Sequence, residues 1–247
     1  MSNGIIKCYQ ANLQKAYLGQ VEVNNKIEGQ GDFLLLIQES YIPHGKLAGM
    51  PSNTTLVPSN TAIDKPRAAL CAARSLKLTE VTELCTRDLA VGIINDGRKP
   101  FAVASAYLDI NLPVAQDCLN RLALFCKTNK LGLLLAMYTN AHSTLFGPTQ
   151  NARGSALEDV LMNLDLEIIN NSHVPTFRCA RGKSCIDLTV THFLEREVNG
   201  WDVDTGYNGS DHSTISYSVT CQATSNTMIR DWDKADWTSF STTLSKD

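Results

Sequence analysis

The stretch from Phe101 to Asn140, FAVASAYLDINLPVAQDCLNRLALFCKTNKLGLLLAMYTN, decides the fold class. It begins with an apolar run, Phe101–Leu108, continues with apolar residues at helical spacing within Val114–Thr128, and returns to an apolar run, Leu131–Met137. Short apolar runs bounded by turn residues are typical of buried strands, and spacings of three and four residues are typical of a helix. The stretch therefore predicts strand, helix and strand, as in an α/β domain.

The rest of the chain contains more predicted strands than helices. A second helix is predicted at Ser155–Leu164. Several adjacent strands are joined by connections too short for a helical crossover, which favours mixed or antiparallel sheets over one doubly wound parallel sheet. We therefore expect two packed sheets flanked by helices. The further strands are predicted at Ile5–Leu13, Phe33–Glu39, Leu89–Asn95, Ile186–Thr191 and Ser213–Val219.

Length and composition predict one large domain. The chain has 247 residues, of which 43% are hydrophobic, enough for one sizeable core. We place the domain at residues 1–221 and expect a polar linker and a short amphipathic segment at 222–247, where Trp232 and Trp237 lie. The stretch Tyr41–Asp64 is rich in turn-forming residues and predicts a long surface loop that faces a substrate. A net charge of −3 provides no global basic field, so any contact with DNA must come from a local cluster.

Several other protein classes are disfavoured by the sequence. The start of the chain lacks the basic flank of a secretory signal and no run approaches the length of a membrane span, so we expect an intracellular protein without a membrane partner. The eight cysteines include no CxxC pair and lie mostly in apolar runs, which favours buried thiols over disulfides. His173, Cys179 and Cys185 match no common zinc spacing.

Polar side chains that could take part in catalysis or binding lie at the ends of the predicted strands, where a sheet would bring them together. A single Asn or Asp at a strand end is usually a turn former, so the order of the set carries more information than any one member. The set is Asn12, Gln38-Glu39-Ser40, Tyr107, Tyr138-Thr139-Asn140, Asp187 and Ser210-Asp211-His212-Ser213.

The segments around these residues resemble the exonuclease-endonuclease-phosphatase superfamily, and within it the apurinic-endonuclease-like endonuclease domains of non-LTR (LINE-type) retrotransposons. The resemblance covers about residues 5 to 220. The segments that carry it are Gln10–Leu13, Ile37–Ser40, Ser105–Tyr107, Thr139–Ser143, Arg153-Gly154, Pro175–Phe177, Ser184–Thr189 and Ser210–His212.

This resemblance implies a fold, an activity and partners. The fold would be a four-layered α/β sandwich of two mixed sheets flanked by helices, as in DNase I-like proteins. The activity would be a metal-dependent nick in double-stranded target DNA that primes retrotransposition. The tail at 222–247 is similar to the linker that leads to a reverse transcriptase in the same polyprotein, and a nuclear location would follow.

The resemblance also implies roles for individual residues. Glu39 would be the main ligand of Mg²⁺, with Mn²⁺ as an alternative, because hard cations prefer carboxylate oxygens, and Asp211 would assist. His212 would meet the scissile phosphate and Asp187 would orient and charge its imidazole. Hydrogen bonds to phosphate oxygens would come from Asn12, Tyr107 and Asn140.

Two positions depart from the family pattern. Tyr138 stands where the family has an aspartate that positions or deprotonates the attacking water, and a phenol with a pKa of about 10 is a poor base at neutral pH. Gln14 stands where apurinic endonucleases often have an aspartate that assists the metal, which favours a single metal centred on Glu39.

Basic side chains near these segments predict DNA contacts. Arg178, Arg181 and Lys183 lie shortly before Asp187, and Arg153 lies in another segment of the resemblance. Such side chains could bind phosphates on either side of a nick. Two alternatives remain open at the level of sequence: a catalytically silent DNA-binding domain of the same fold, and a phosphatase or phosphodiesterase acting on small phosphoesters.

Overall fold

The computed structural model describes residues 4–42, 50–59, 65–114, 116–171, 173–194, 196–206 and 208–220. The predicted linker and amphipathic segment at 222–247 and residues 43–49 and 60–64 of the predicted loop therefore lie outside the described residues. The described part of that loop contains a strand, Thr54–Val57, so the loop prediction is wrong there. Three helices are found within them: α1 (Tyr17–Ile27), α2 (Gln116–Asn129) and α3 (Ala152–Asn163). No helix in these ranges is long and apolar enough to cross a membrane.

The described strands form two six-stranded sheets and one hairpin. The first sheet has the order β13-β14-β1-β2-β4-β3 and the second has the order β5-β6-β7-β8-β12-β9. The strands are β1 (Ile5–Asn12), β2 (Phe33–Gln38), β3 (Thr54–Val57), β4 (Ala68–Ala73), β5 (Thr79–Glu80), β6 (Leu89–Ile94), β7 (Phe101–Tyr107), β8 (Gly132–Tyr138), β9 (Glu167–Ile168), β10 (Phe177–Cys179), β11 (Gly182–Ser184), β12 (Asp187–His192), β13 (Glu197–Asp204) and β14 (Thr214–Thr220).

Both large sheets are mixed, as the sequence predicts. In the first sheet β1 and β2 are parallel, and in the second β7 and β8 are parallel. The other pairings, such as β1 with β14 and β8 with β12, are antiparallel. The predicted sandwich of two mixed sheets with helices is confirmed.

The core is divided into three apolar clusters that separate four layers. One cluster lies between the sheets and includes Leu34 and Leu36 of β2 with Val103 of β7. A second joins the outer face of the second sheet to α2 and α3, for example through Leu119 and Leu157. The third joins the outer face of the first sheet to α1. Because the central strands are covered on both faces, they appear in sequence as continuous apolar runs.

Buried amide side chains connect the two sheets through this apolar interior. Gln10 of β1 donates from Nε2 to the carbonyls of Met137 (3.4 Å) and Leu188 (3.2 Å) in the opposite sheet. Its Oε1 accepts a hydrogen bond from the Thr189 hydroxyl at 2.8 Å. Gln38 of β2 donates from Nε2 to the Ser105 hydroxyl of β7 at 2.8 Å. Such contacts fix the sideways position of one sheet on the other, which apolar contacts alone specify weakly.

Several elements differ from their predicted form. Helix α1 was not predicted, because its sequence YLGQVEVNNKI has weak amphipathic periodicity and no side-chain N-cap. β4, with the sequence AALCAA, was also not predicted, since an alanine-rich run has no strand signature. Helix α3 begins at Ala152 rather than Ser155, because Asn151 is its N-cap and accepts a hydrogen bond from the Gly154 amide at 2.7 Å.

Replacing Gln10 with leucine should destabilise the domain. The change removes two donors and one acceptor from a side chain that is 1% exposed, and it leaves the Thr189 hydroxyl without its acceptor. We expect the free energy of unfolding to fall by about 1–3 kcal/mol. The measurement is urea unfolding followed by circular dichroism. Gln30→Leu, at an exposed position, is the control and should change the value by less than about 0.5 kcal/mol.

Candidate active site

The polar strand ends meet at one end of the sandwich, which we call the site edge. The parallel strands β1, β2, β7 and β8 all end there, and the antiparallel strands β12 and β14 begin there. Tyr138 is opposite Tyr107 in one ladder and opposite Asp187 in the other. The ring of His212, from the other sheet, lies 5.0 Å from the ring of Tyr138. The structure therefore brings together most of the residues that the sequence analysis selects.

A buried histidine and aspartate form the centre of the site edge. His212 Nδ1 lies 2.8 Å from Asp187 Oδ2, and the side chains are 4% and 3% exposed. Burial alone lowers the pKa of His212, but the carboxylates of Asp187, Asp211 and Glu39 raise it, and the net change is upward. The Asp187 carboxylate thus fixes the ring and favours the imidazolium.

The imidazole of His212 also contacts two aromatic rings. Tyr138 packs edge-on at 5.0 Å, and Phe177 packs at 4.9 Å between centroids. The backbone at His212 is fixed as well, because its carbonyl accepts a hydrogen bond from Asn208 Nδ2 at 2.8 Å. The ring is therefore preorganised, with Nε2 as its free nitrogen, 3.8 Å from Asp211 Oδ1.

Thr176 supports the Asp187 side of this pair. Its buried hydroxyl oxygen accepts hydrogen bonds from the backbone amides of Ile186 and Asp187, both at 3.2 Å. Its carbonyl accepts a hydrogen bond from the Ser213 amide at 2.7 Å. One residue thus connects the start of β12 to the turn that bears His212.

Glu39 and Asp211 supply carboxylates beside the pair, at the positions predicted to bind a metal. Glu39 has a left-handed backbone with φ 49° and is half-buried. Asp211 accepts a hydrogen bond from Gln14 Nε2 at 2.8 Å through Oδ2, whereas its Oδ1 is buried and has no hydrogen-bond partner. A buried carboxylate oxygen that accepts no hydrogen bond, here 3.8 Å from His212 Nε2, is chemically suited to a cation or its bound water.

The donor set near Glu39 suits a hard cation with few protein ligands. The described residues contain no group of three or more His, Cys, Asp or Glu side chains arranged to hold a metal. Mg²⁺ usually takes only one or two carboxylates and completes its shell with water and substrate phosphate, so Glu39 and Asp211 fit this cation. The ammonium of Lys15 lies 3.5 Å from Glu39 Oε1 on the solvent side.

Tyr138 occupies the predicted water-activating position and interacts with its neighbour. Its hydroxyl donates to Asn140 Oδ1 at 2.5 Å, and Asn140 Nδ2 donates to the Leu108 carbonyl at 3.0 Å. Burial, followed by nearby negative groups, raises the pKa of Tyr138 far above its usual value. The phenol therefore stays protonated and cannot act as a base near neutral pH.

The predicted phosphate donors have different partners. Asn12 is buried at the end of β1, its Oδ1 accepts from the Gln14 amide at 3.0 Å, and its Nδ2 has no hydrogen-bond partner. Tyr107 is half-buried, and burial, with Glu39 as the next contributor, raises its pKa. Both groups are therefore available as donors, and Asn140 retains one amide hydrogen beside the one directed to Leu108.

The predicted DNA-binding residues fall into two groups. Arg181 and Lys183 are exposed on the β10–β11 hairpin, and Arg178 lies beside Asp211, whose carbonyl accepts the Arg178 amide at 2.8 Å. Arg153 is different, because its guanidinium donates to four backbone carbonyls at 2.6–3.2 Å, those of Leu108, Asp109, Leu112 and Thr139. These contacts bind the loops after β7 and β8 to each other.

Arg67 also lies at the site edge, although the sequence pattern does not select it. Arg67 is paired with Asp88 and Asp109, and its guanidinium lies over the ring of Tyr107. Arg67, Asp88 and Asp109 belong to separate loops, so no spacing in the sequence relates them. The residues considered for zinc do not form a site: Cys179 and Cys185 are free thiols, exposed and buried respectively.

Comparison with known proteins identifies a family and several solved structures to which the chain is similar. Residues 101–216 match the family described as endonuclease-reverse transcriptase. No curated protein matches the sequence. Solved structures include the endonuclease domain of TRAS1, a telomere-specific non-LTR retrotransposon, at 24% identity and a TM-score of 0.73, covering 88% of this chain and 100% of that chain.

More distant solved structures share the fold. The Xenopus laevis APE2 catalytic domain is 13% identical with a TM-score of 0.63, covering 87% of this chain and 92% of that chain. The inositol polyphosphate 5-phosphatase domain of SPsynaptojanin, in complex with inositol (1,4)-bisphosphate and calcium ion, is 11% identical with a TM-score of 0.52. The match covers 87% of this chain and 83% of that chain. At these identities the likeness shows the fold.

Gly154 provides a test of how tightly the site loops are packed. A Cβ at this position would lie 1.7 Å from the His142 carbonyl oxygen, which is backbone and cannot easily move. We expect Gly154→Ala to reduce the free energy of unfolding by about 1–3 kcal/mol or more. Thermal or urea unfolding measures the change. Gly31→Ala, where the added Cβ has nothing within 4 Å, should leave stability nearly unchanged; equal effects would contradict the packing described.

Proposed function

We propose, on the premise that this chain carries an exonuclease-endonuclease-phosphatase domain of the endonuclease-reverse transcriptase type, that it nicks double-stranded DNA by metal-dependent hydrolysis of a phosphodiester bond. The observation that carries the proposal is the buried pair of His212 and Asp187, set beside the carboxylates of Glu39 and Asp211 at one edge of the sandwich. A charged imidazole next to carboxylates is suited to a ligand that combines a phosphate with a cation.

Each residue of the site would have a separate role toward a bound phosphodiester. His212 would donate from Nε2 to a phosphate oxygen while Nδ1 stays on Asp187, and so would stabilise the charge that builds up in the transition state. Asn12 and Tyr107 would donate to further phosphate oxygens. Glu39 and Asp211 would hold Mg²⁺ or Mn²⁺, which when bound would withdraw charge from the phosphate.

Hydrolysis adds one water to the backbone and breaks one phosphorus–oxygen bond. The water supplies OH to phosphorus and its remaining proton to the departing sugar oxygen. A nick that leaves a 3′-hydroxyl can be extended by a polymerase, which suits a reverse transcriptase in the same polyprotein. Residues 101–216 match an endonuclease-reverse transcriptase family, which supports DNA rather than a small phosphoester as substrate.

The exposed hairpin provides a surface for the rest of the duplex. Arg181 and Lys183 are exposed on the β10–β11 hairpin. Arg178 of β10 donates from its backbone amide to the Asp211 carbonyl, which places the hairpin beside the site edge. These side chains would bind phosphates outside the scissile position and would make binding weaken as salt rises. A nuclear location follows from a chromosomal DNA target and belongs to this proposal.

A second candidate function is DNA binding without cleavage, and Tyr138 favours it. The phenol occupies the position expected for a base, stays protonated, and donates a hydrogen bond to Asn140. Loss of a general base typically costs about 100- to 10,000-fold in rate. The native chain should therefore nick about 100- to 10,000-fold more slowly than a chain with an aspartate at position 138.

Substitution of the site centre tests the proposed chemistry. We expect His212→Ala and Glu39→Ala each to reduce nicking of supercoiled plasmid in Mg²⁺ by at least about 100-fold, since each removes a group that stabilises transition-state charge. Both variants should keep the circular dichroism spectrum of the native chain. Lys7→Ala, at an exposed position near the start of β1 and away from the site edge, is the control and should nick at the native rate. Native rates in both site variants would refute the assigned site.

Restoring a carboxylate at position 138 tests the Tyr138 argument. Tyr138→Asp should raise the plasmid nicking rate by about 100-fold or more, because it adds a base and removes the donor to Asn140. Tyr138→Phe separates these effects, since it removes the hydroxyl but adds no base, and should stay within about tenfold of the native chain. If Tyr138→Asp gains nothing while binding DNA normally, position 138 does not face the attacking water.

A further inference from the structure

Arg67 connects the two sheets at the site edge through its backbone and its side chain. It directly precedes β4 of the first sheet, and its carbonyl accepts a hydrogen bond from the Glu39 amide at 2.7 Å. Its side chain reaches the second sheet, where Nε and one terminal nitrogen bind both oxygens of Asp88 at 2.5 and 2.6 Å. The other terminal nitrogen binds Asp109 at 2.6 Å.

The same guanidinium lies against the ring of Tyr107. Its central carbon is 4.3 Å from the ring centroid, which is a cation–π distance. Asp88 directly precedes β6, and Asp109 follows Tyr107 at the end of β7. The two carboxylates that bind the guanidinium therefore come from two different loops. Arg67 is 13% exposed, and its hydrogen bonds to Asp88, together with Asp109, raise its pKa above the usual range, so it remains charged.

Tyr107 is thereby fixed while its hydroxyl stays available. Its ring contacts Arg67 and also the ring of Tyr138, at 5.0 Å between centroids. Within the described part of the chain, the Tyr107 hydroxyl forms no hydrogen bond. A phenol that is held by its ring and free at its oxygen is preorganised to donate to an incoming acceptor.

We propose that Arg67 is a positioning residue that holds Tyr107 in the orientation in which its hydroxyl meets a phosphate oxygen of the DNA. This inference rests on the proposed function, because it assigns Arg67 to the phosphate site described above. The proposal gives Arg67 no DNA contact of its own, because three of its five N–H donors are engaged by Asp88 and Asp109 and its charge is offset by those carboxylates.

The contacts require arginine rather than any cation. A lysine has one point of charge, whereas the planar guanidinium binds Asp88 with two nitrogens, reaches Asp109 with a third and still presents a flat face to Tyr107. Arg67→Lys therefore keeps the charge but loses the geometry. It should change the orientation of Tyr107 and leave the net charge near Glu39 unchanged.

A double-mutant cycle of Arg67 and Tyr107 tests the proposal. The variants are Arg67→Lys, Tyr107→Phe and the two combined, with Arg74→Lys as the control at an exposed arginine at the opposite end of β4. The readouts are the plasmid nicking rate and the affinity for a labelled duplex, measured at 25 °C after unfolding curves have shown that each variant is folded. Asp88→Asn provides a second way to release Arg67 if Arg67→Lys does not fold.

The two explanations predict different results. If Arg67 acts through the Tyr107 hydroxyl, each single variant lowers rate or affinity about tenfold, and the combined variant falls no further than Tyr107→Phe alone. If Arg67 affects the readout independently of the Tyr107 hydroxyl, the losses multiply to about 100-fold, and if it only stabilises the fold, the folded Arg67→Lys variant keeps the native rate and affinity; either result overturns the proposal. A full native rate and affinity in Tyr107→Phe would instead remove the phosphate role of Tyr107, which is a failure of the proposed function.

Should no variant nick DNA, the affinity arm decides the cycle. The Tyr107 hydroxyl would still donate to a bound phosphate, so the same non-additive pattern is expected in the dissociation constants. Additive losses of affinity would overturn the positioning role. Arg74→Lys should match the native chain in both readouts, and a comparable loss there would show that the cycle reports replacement of arginine by lysine in general rather than the Tyr107 contact.

Discussion

The alignment of the two sheets is the constraint on which the rest of the structure depends. Each sheet contributes a parallel pair, β1 with β2 and β7 with β8, and all four strands end at the same edge. A sideways shift of one sheet would separate His212 of the first from Asp187 of the second. The buried amides of Gln10 and Gln38 oppose such a shift because their hydrogen bonds are made only in one alignment.

The site edge combines a preorganised histidine with a tyrosine at the position proposed for the base. His212 is fixed by Asp187 and two aromatic rings, and Asp211 and Asn12 each have a buried polar atom without a partner. These features are costly in a folded protein unless a ligand satisfies them. Tyr138, by contrast, satisfies its hydroxyl internally through Asn140. On the proposed function, the edge is therefore better suited to bind a phosphodiester than to activate water.

The sequence predicts the fold and most of the site because their signals are local. Continuous apolar runs such as Leu131–Met137 identify strands covered on both faces, and the polar residues that follow them identify the edge. Helix α1 and strand β4 escape prediction because their apolar residues lack a clear period, so their structure depends on tertiary packing. Arg67 escapes because its partners Asp88 and Asp109 come together only in the folded chain. The role given to Arg153 changes for the same reason, since the carbonyls that it binds belong to two loops.

The most direct test of the account is a crystal structure of the chain with Mn²⁺ and a short DNA duplex, in which anomalous scattering locates the metal. The account predicts an anomalous peak beside Glu39 and Asp211, with a backbone phosphate between that metal and His212 Nε2. The Tyr107 hydroxyl should lie within hydrogen-bond distance of an oxygen of the same phosphate. DNA bound at another surface, or a metal held by other residues while the site edge is empty, would contradict the account.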